Sequence, residues 1–167
     1  MTTRSLALAA TAALAALLAA CTPATRPPAT YTDGPCPTSG SGVTVVVDWS
    51  ADLGDRQLVR CALGPQSSAI AALGAIGLRV NTNAPDAVPG TVCTLDGLPV
   101  EGYPYCWLTD GYWSYWAAPS QGEAWDYAPF GAGDGPLAEG SSIGLAWAQG
   151  FLSDGPRTGS DGEPLVP

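Results

Sequence analysis

Chemistry in this chain has to be assembled without histidine. None of the 167 residues is His, so a Ser-His-Asp or Cys-His nucleophile has no base. Carboxylates are the remaining candidates. Asp110, Glu123, Asp126 and Asp134 lie close in sequence to a dense aromatic run, and paired acids can cleave glycosides. In an acidic chain, however, such acids are ordinarily solvated surface groups. Gly131-Ala132-Gly133-Asp134-Gly135 lacks the ligand spacing of an EF-hand and the lysine of a P-loop, and reads as a flexible loop. No catalytic residue, metal site or cofactor is expected, and the reading is of a protein that is not an enzyme.

The aromatic run is the other chemically capable feature. Ten of the fourteen aromatic residues fall between Tyr103 and Phe130. Asp110 to Ala118, a turn at Pro119-Ser120-Gln121-Gly122, and Glu123 to Tyr127 predict a β-hairpin. Strand alternation puts Tyr112, Ser114 and Trp116 on one face and Trp113, Tyr115 and Ala117 on the other. Both faces carry large rings, so one is core and the other must be covered. Exposed members of Tyr112, Trp113, Tyr115, Trp116 and Trp125 would make a platform for a planar ligand or sugar rings. As aromatic stripes in strands they are more often core, and as a surface patch they would anchor a protein partner.

The other elements follow in order. Gly42 to Trp49 has β-branched residues on both faces and predicts a central strand, returning through a turn at Asp52 to Asp55 into Gln57 to Cys61. Ser67 or Ser68 caps a helix over Ala69 to Ile76. Its apolar stripe is Ile70, Leu73 and Ile76, and Gly77 ends it. Leu78 to Val80 predicts a short strand, followed by a loop from Asn81 to Gly90. Thr91 to Leu95 turns at Asp96-Gly97 into Leu98 to Val100, a hairpin signal. Ser141 to Trp147 alternates as a last strand, and Gly, Pro, Ser and Asp from Ser153 onward predict a disordered tail.

The first twenty residues have the layout of a secretory signal: Arg4, an apolar run of fifteen residues from Leu6 to Ala20, and small residues before a cysteine. The run is shorter than the roughly 20 residues a transmembrane helix needs. Leu18-Ala19-Ala20-Cys21 resembles a bacterial lipobox, which implies acylation at Cys21 and a lipid anchor in the membrane. The expected organisation is a signal peptide over 1–20, a Pro/Thr/Ser-rich tether over 21–41, a domain over 42–152 and a tail over 153–167. Without Arg4, five arginines oppose fifteen acids, a net charge of −10 with no lysine. Nucleic acid and anionic lipid headgroups are therefore poor partners.

Cys36, Cys61, Cys93 and Cys106 form an even set in an exported chain, which predicts two disulfides. Three pairings are possible. Cys36–Cys61 and Cys93–Cys106 are favoured, since the first ties the domain's start to its first hairpin and the second brackets another.

Together the strand Val43 to Trp49, the helix Ser68 to Ile76, Cys93-Thr94-Leu95-Asp96-Gly97, Tyr112-Trp113-Ser114-Tyr115-Trp116 and Gly144-Leu145-Ala146-Trp147 resemble the transcobalamin C-terminal-like family. The likeness is close to a subgroup of small exported actinobacterial proteins with the same Tyr-Trp-Ser-Tyr-Trp core. The resemblance covers about Gly42 to Gly150. It implies an α+β fold, a small β-grasp-like mixed sheet of hairpins with one packed helix. It also implies a non-enzymatic binding domain whose ligand is corrinoid-like or another small planar molecule. The large helical barrel that completes the cobalamin site in vitamin carriers has no counterpart here. The alternative is a surface interaction module that binds a protein and no small ligand.

Overall fold

A computed structural model describes residues 29–100, 106 and 110–165. The expected signal peptide, Cys21 and the first part of the tether, residues 21–28, lie outside the described residues. The protein is a mixed α/β structure, mostly sheet with one helix. Six strands order as β1-β3-β2-β8-β6-β7. They are β1 (Tyr31–Asp33), β2 (Gly42–Asp48), β3 (Gln57–Leu63), β6 (Gly111–Ala118), β7 (Asp126–Tyr127) and β8 (Ser142–Gln149). β2 and β8 run parallel at the centre, and the other pairs are antiparallel. A separate two-stranded ladder joins β4 (Val80–Asn81) to β5 (Thr94–Leu95).

The seven residues of β2 are all buried, as a strand with neighbours on both edges and cover on both faces must be. One face carries Val43, Val45 and Val47, with Trp113 and Tyr115 from β6 and Ile143, Leu145 and Trp147 from β8, and forms the main core. Trp113 meets Trp49 and Trp147 edge to face, with centroids 5.9 Å and 5.7 Å apart, a geometry that aligns ring edges with ring faces. Helix α1 (Ala69–Ala75) lies against this side. Its Ser68 hydroxyl accepts from the Ala71 N–H, satisfying an otherwise orphaned donor. At its end the Leu78 N–H bonds Leu73 O and the Gly77 N–H bonds Gly74 O, a Schellman closure that requires the left-handed Gly77 at φ 88°. Ala69, Ala72, Leu73 and Ile76 are buried, whereas the expected stripe residue Ile70 is only half-buried and turns toward the loop at Gly133.

The opposite face is built from small and polar side chains: Thr44, Val46 and Asp48 on β2, Ser114 on β6, and Ser142, Gly144, Ala146 and Ala148 on β8. Its cover is the C-terminal segment. Residues 153–165 form an ordered strap, correcting the expectation of a disordered tail. The Ser114 and Ser153 hydroxyls share a 2.7 Å bond, Ser142 donates to Ser160 O at 2.7 Å, and Trp125 Nε1 donates to Thr158 O at 2.8 Å. Pro156 and the Trp125 ring come so close to Gly144 that a Cβ there would lie 2.7 Å from the Pro156 ring. The strap closes on itself through Gly159 N–H to Glu163 O and Leu165 N–H to Arg157 O.

Arg157 pins this strap. Its backbone N–H, Nε and Nη2 donate to the two oxygens of Asp48 at 2.9, 2.9 and 2.7 Å, and Nη1 reaches Asp55 at 2.6 Å. Asp48 is 2 % exposed. Burial by itself pushes its carboxyl up, but the Arg157 and Ser50 hydrogen bonds outweigh it and hold the group below the ordinary carboxylate range.

The folded unit also begins inside the expected tether, because β1 pairs with β3 (Tyr31 opposite Ala62). Both favoured disulfides are present, Cys36–Cys61 and Cys93–Cys106, with Cα separations of 4.6 and 4.7 Å, normal for the bond. Asp96 and Gly97 both have positive φ (52° and 81°) and close the turn between Leu95 and Leu98, as a type I′ Asp-Gly pair should.

Replacing Arg157 by Met leaves a buried carboxylate short of its partner. The expected loss is about 2 kcal/mol at pH 7, below the 3–5 kcal/mol of fully buried pairs because the Arg157 side chain is 45 % exposed. Asp48 has a depressed folded pKa, so its contribution is present above the unfolded value near 4 and disappears as pH falls through the folded one. Urea denaturation of wild type and Arg157→Met should therefore differ most at neutral pH and converge in acid.

Candidate functional site

The five residues expected to bind ligand do not form one platform. Trp113 is core, its Nε1 donating to Leu98 O at 3.3 Å. Trp116 faces the strap: its Nε1 donates to Ser114 Oγ at 2.9 Å, its ring meets Tyr127 edge-on at 5.3 Å, and Gly155 passes over it. Trp125 is spent on Thr158 and Gly144. Tyr112 stacks on Phe151 with centroids 5.9 Å apart. Alternation distributes these rings between two covered faces, so the core reading holds for Trp113; Trp125 lines a depression of about 420 Å³ beside the strap, and Tyr115 lines a larger cavity, about 540 Å³, on the main face.

That cavity arises because the helix is short. Seven helical residues span about 10 Å, while six strands are about 24 Å wide. Toward β6 and β7 the main face is covered by the connection running through Pro129, Phe130 and Ala138. This Gly-rich run is held in place rather than free. Asp134 Oδ2 accepts from the Gly131 N–H at 2.9 Å, the Ile70 N–H bonds Ala132 O, and the Leu137 N–H bonds Gln66 O, both at 3.0 Å. Between this wall and the sheet lies a cleft of about 540 Å³, lined by Tyr115, Phe130, Leu137 and Ile143 with Asp126, Asp134 and Ser141. The volume falls within the usual range of small-molecule sites.

Tyr115, 7 % exposed and edge-on to Phe130 at 5.9 Å, is one of the lining residues. Its hydroxyl is buried with no hydrogen-bond partner. Buried hydroxyls rarely go unpaired. Among the described residues Trp49 Nε1 is the other such atom, but Trp49 is fully enclosed in the core. Burial, together with the Asp134 charge, pushes Tyr115 up to about 12.

The acids weighed for glycoside chemistry are only partly gathered. Asp126 and Asp134 line the cleft, while Glu123 lines a different depression with Trp125, Asp154 and Asp161, and Asp110 lines neither. Among the described residues no group of three or more metal-ligating side chains occurs, and no helix is long and apolar enough to cross a membrane. Phe130 and Leu137 were missed in the sequence because they stand singly in a Gly/Pro-rich run. Their signal was the large apolar side chain within a segment otherwise read as loop.

No family model, curated protein or solved structure matches this chain.

Tyr112, half-buried and hydrogen-bonded to Tyr127, is likewise pushed up to about 12. Both tyrosines have folded values above the ordinary 10, so the stability they contribute is complete below pH 10 and is lost as pH rises through 12. Tyrosinate absorbance should show two late-titrating groups. Tyr115→Phe should remove one of them, and Asp134→Asn should bring the Tyr115 titration to lower pH.

Proposed function

We propose that this is a lipid-anchored, extracytoplasmic binding domain that captures a small ligand in the cleft between β6, β8 and the connection through Phe130 and Leu137. The observation that carries the reading is the cleft of about 540 Å³ itself, whose walls of Tyr115, Phe130, Leu137 and Ile143 are joined by a few polar side chains, the make-up that small-molecule sites use. Export is supported by the two disulfides, which persist in oxidising compartments, and anchoring by the lipobox-like Leu18-Ala19-Ala20-Cys21. The absence of histidine favours binding over catalysis.

A β-grasp description of the sheet has support in its connectivity. A first hairpin (β2, β3) is followed by the helix, and the last strand β8 returns parallel to β2 at the centre. That arrangement also supports the resemblance to transcobalamin C-terminal-like domains. A corrinoid is the ligand the resemblance implies, and a cleft of about 540 Å³ suits a drug-sized molecule or one edge of a larger one. A second reading, a protein-binding surface module, is favoured by the exposed Phe151 and Leu152, 52 % and 82 % accessible.

The test is a thermal shift on the soluble chain from Thr22 to Pro167, which keeps every described residue, against cobalamins, haem, siderophores and cell-wall saccharides. A ligand at a hundredfold its dissociation constant adds about 2.7 kcal/mol and raises the midpoint by several degrees. Leu137→Trp, which fills the cleft, should abolish the shift. A shift that survives Leu137→Trp, with the variant folded, would move the site elsewhere. A flat panel accompanied by partner binding that Phe151→Ala and Leu152→Ala remove would favour the surface module.

A further inference from the structure

We infer that the turn beyond β8, where Phe151 and Leu152 stand in solvent beside Tyr112, docks a segment of a protein partner whose apolar residues are flanked by arginine or lysine. This deepens the surface-module reading above, rests on it, and is independent of the cleft.

The turn is built against its local preference. The Leu152 N–H bonds Gln149 O at 3.5 Å across Gly150 and Phe151, whose φ values are 65° and 60°. A turn with both central residues in the left-handed region favours Gly, Asn or Asp there, and a bulky ring is strained in it. The strained ring is not core: Phe151 is 52 % and Leu152 82 % accessible. Phe151 stacks on half-buried Tyr112 with centroids 5.9 Å apart, and Tyr112 in turn is hydrogen-bonded to the exposed Tyr127. Strain and apolar exposure at one residue both count against the isolated domain. What they jointly provide is a projecting aromatic contact surface.

Charge decides the occupant. Asp110 and Asp154 flank the turn, both exposed, and among the described residues neither is in an ion pair. Asp110 O accepts the Gly150 N–H at 2.5 Å, which holds that acid beside the turn. The chain carries fifteen acids against six bases, so a second copy would bring like charge to the same place. A basic segment meets the two acids instead, and the exposed Tyr127 ring offers its cations a further contact.

The chain's own bilayer lies toward the other end of the sheet. Tyr31 is level with Val43 through Ala62, one residue short of the Thr44–Ser142 pair, so Gln149 lies eight residues farther along the sheet, about 26 Å. With Cys21 acylated as proposed above, the eight residues from there to Ala29 reach at most about 29 Å. The turn would touch the bilayer only with that tether drawn taut along the whole sheet.

Three blocked hexapeptides make the test: Gly-Arg-Leu-Leu-Arg-Gly, Gly-Glu-Leu-Leu-Glu-Gly and Gly-Arg-Ser-Ser-Arg-Gly, titrated at pH 7 into the ¹⁵N-labelled chain from Thr22 to Pro167. Amide shifts at Gly150, Phe151 and Leu152 locate the binding. The Arg/Leu peptide should bind about tenfold more tightly than either of the others. Asp110→Asn and Asp154→Asn should each shrink its advantage over the Glu/Leu peptide. Leu152→Ser should weaken both Leu peptides. Phe151→Asn should abolish the shifts while the thermal midpoint stays within about 3 °C of wild type, because Asn suits the left-handed turn. A larger fall would make the ring a structural prop and overturn the assignment.

Equal affinity of the Arg/Leu and Glu/Leu peptides, or an Arg/Leu preference untouched by both Asn variants, would overturn the basic partner while an apolar docking surface stood. An Arg/Ser peptide that binds as tightly as the Arg/Leu one would mean that the acids act without the apolar turn, and would overturn both. So would turn amides that no peptide shifts at millimolar concentration.

Discussion

The structure depends on the pairing of Asp48 with Arg157. A carboxylate 2 % exposed at the end of the central strand is costly to bury, and removing its partner is worse than never having had the charge. Here the offset comes from a segment 109 residues away in sequence. Because both the backbone N–H and the guanidinium of Arg157 are engaged, the interaction fixes the path of the chain as well as its charge. It is the point at which the strap is tied across the sheet.

Once that tie is made, the composition of each face becomes intelligible. Small residues at Gly144, Ala146, Ala148 and Ser114 let an irregular strap approach the sheet closely and exchange hydrogen bonds with it. Large residues on the opposite side, three tryptophans among them, fill the space under a single short helix. With the strap covering one face, the other is left open where α1 ends before the sheet does. The cleft is thus a consequence of coverage: a seven-residue helix on a six-stranded sheet leaves a margin, and Phe130 and Leu137 line it without filling it.

Much of this frame was legible in the chain because its signals are local. The β-branched run at Val43 to Val47, the Ser68 cap, Gly77, the Asp96-Gly97 turn and the alternation of Ile143, Leu145 and Trp147 each act through near neighbours. The cysteine pairing followed from where those elements put the four thiols. The strap was not legible, because Gly-, Pro- and Ser-rich sequence has no period, and its bonds reach Ser114, Ser142, Trp125 and Asp48, all distant in sequence. One clue was present: Asp48 closes an apolar strand read as central, which demands a partner in a chain with only six basic residues. The cleft was half-legible. Tyr115 was named for its ring, but the alternation that puts Trp116 on the other face also dissolves the platform, and Asp134 was read as part of a free loop although the same loop is its anchor.

The measurement that tests the central claim most directly is hydrogen exchange at the Arg157 amide, the N–H that donates to Asp48. If the strap is an integral layer, this amide exchanges only with global unfolding, at the rate of the slowest amides of β2 and β8. Exchange as fast as that of an unstructured peptide, with β2 and β8 still protected, would mean that the strap does not hold the second face and would contradict the account.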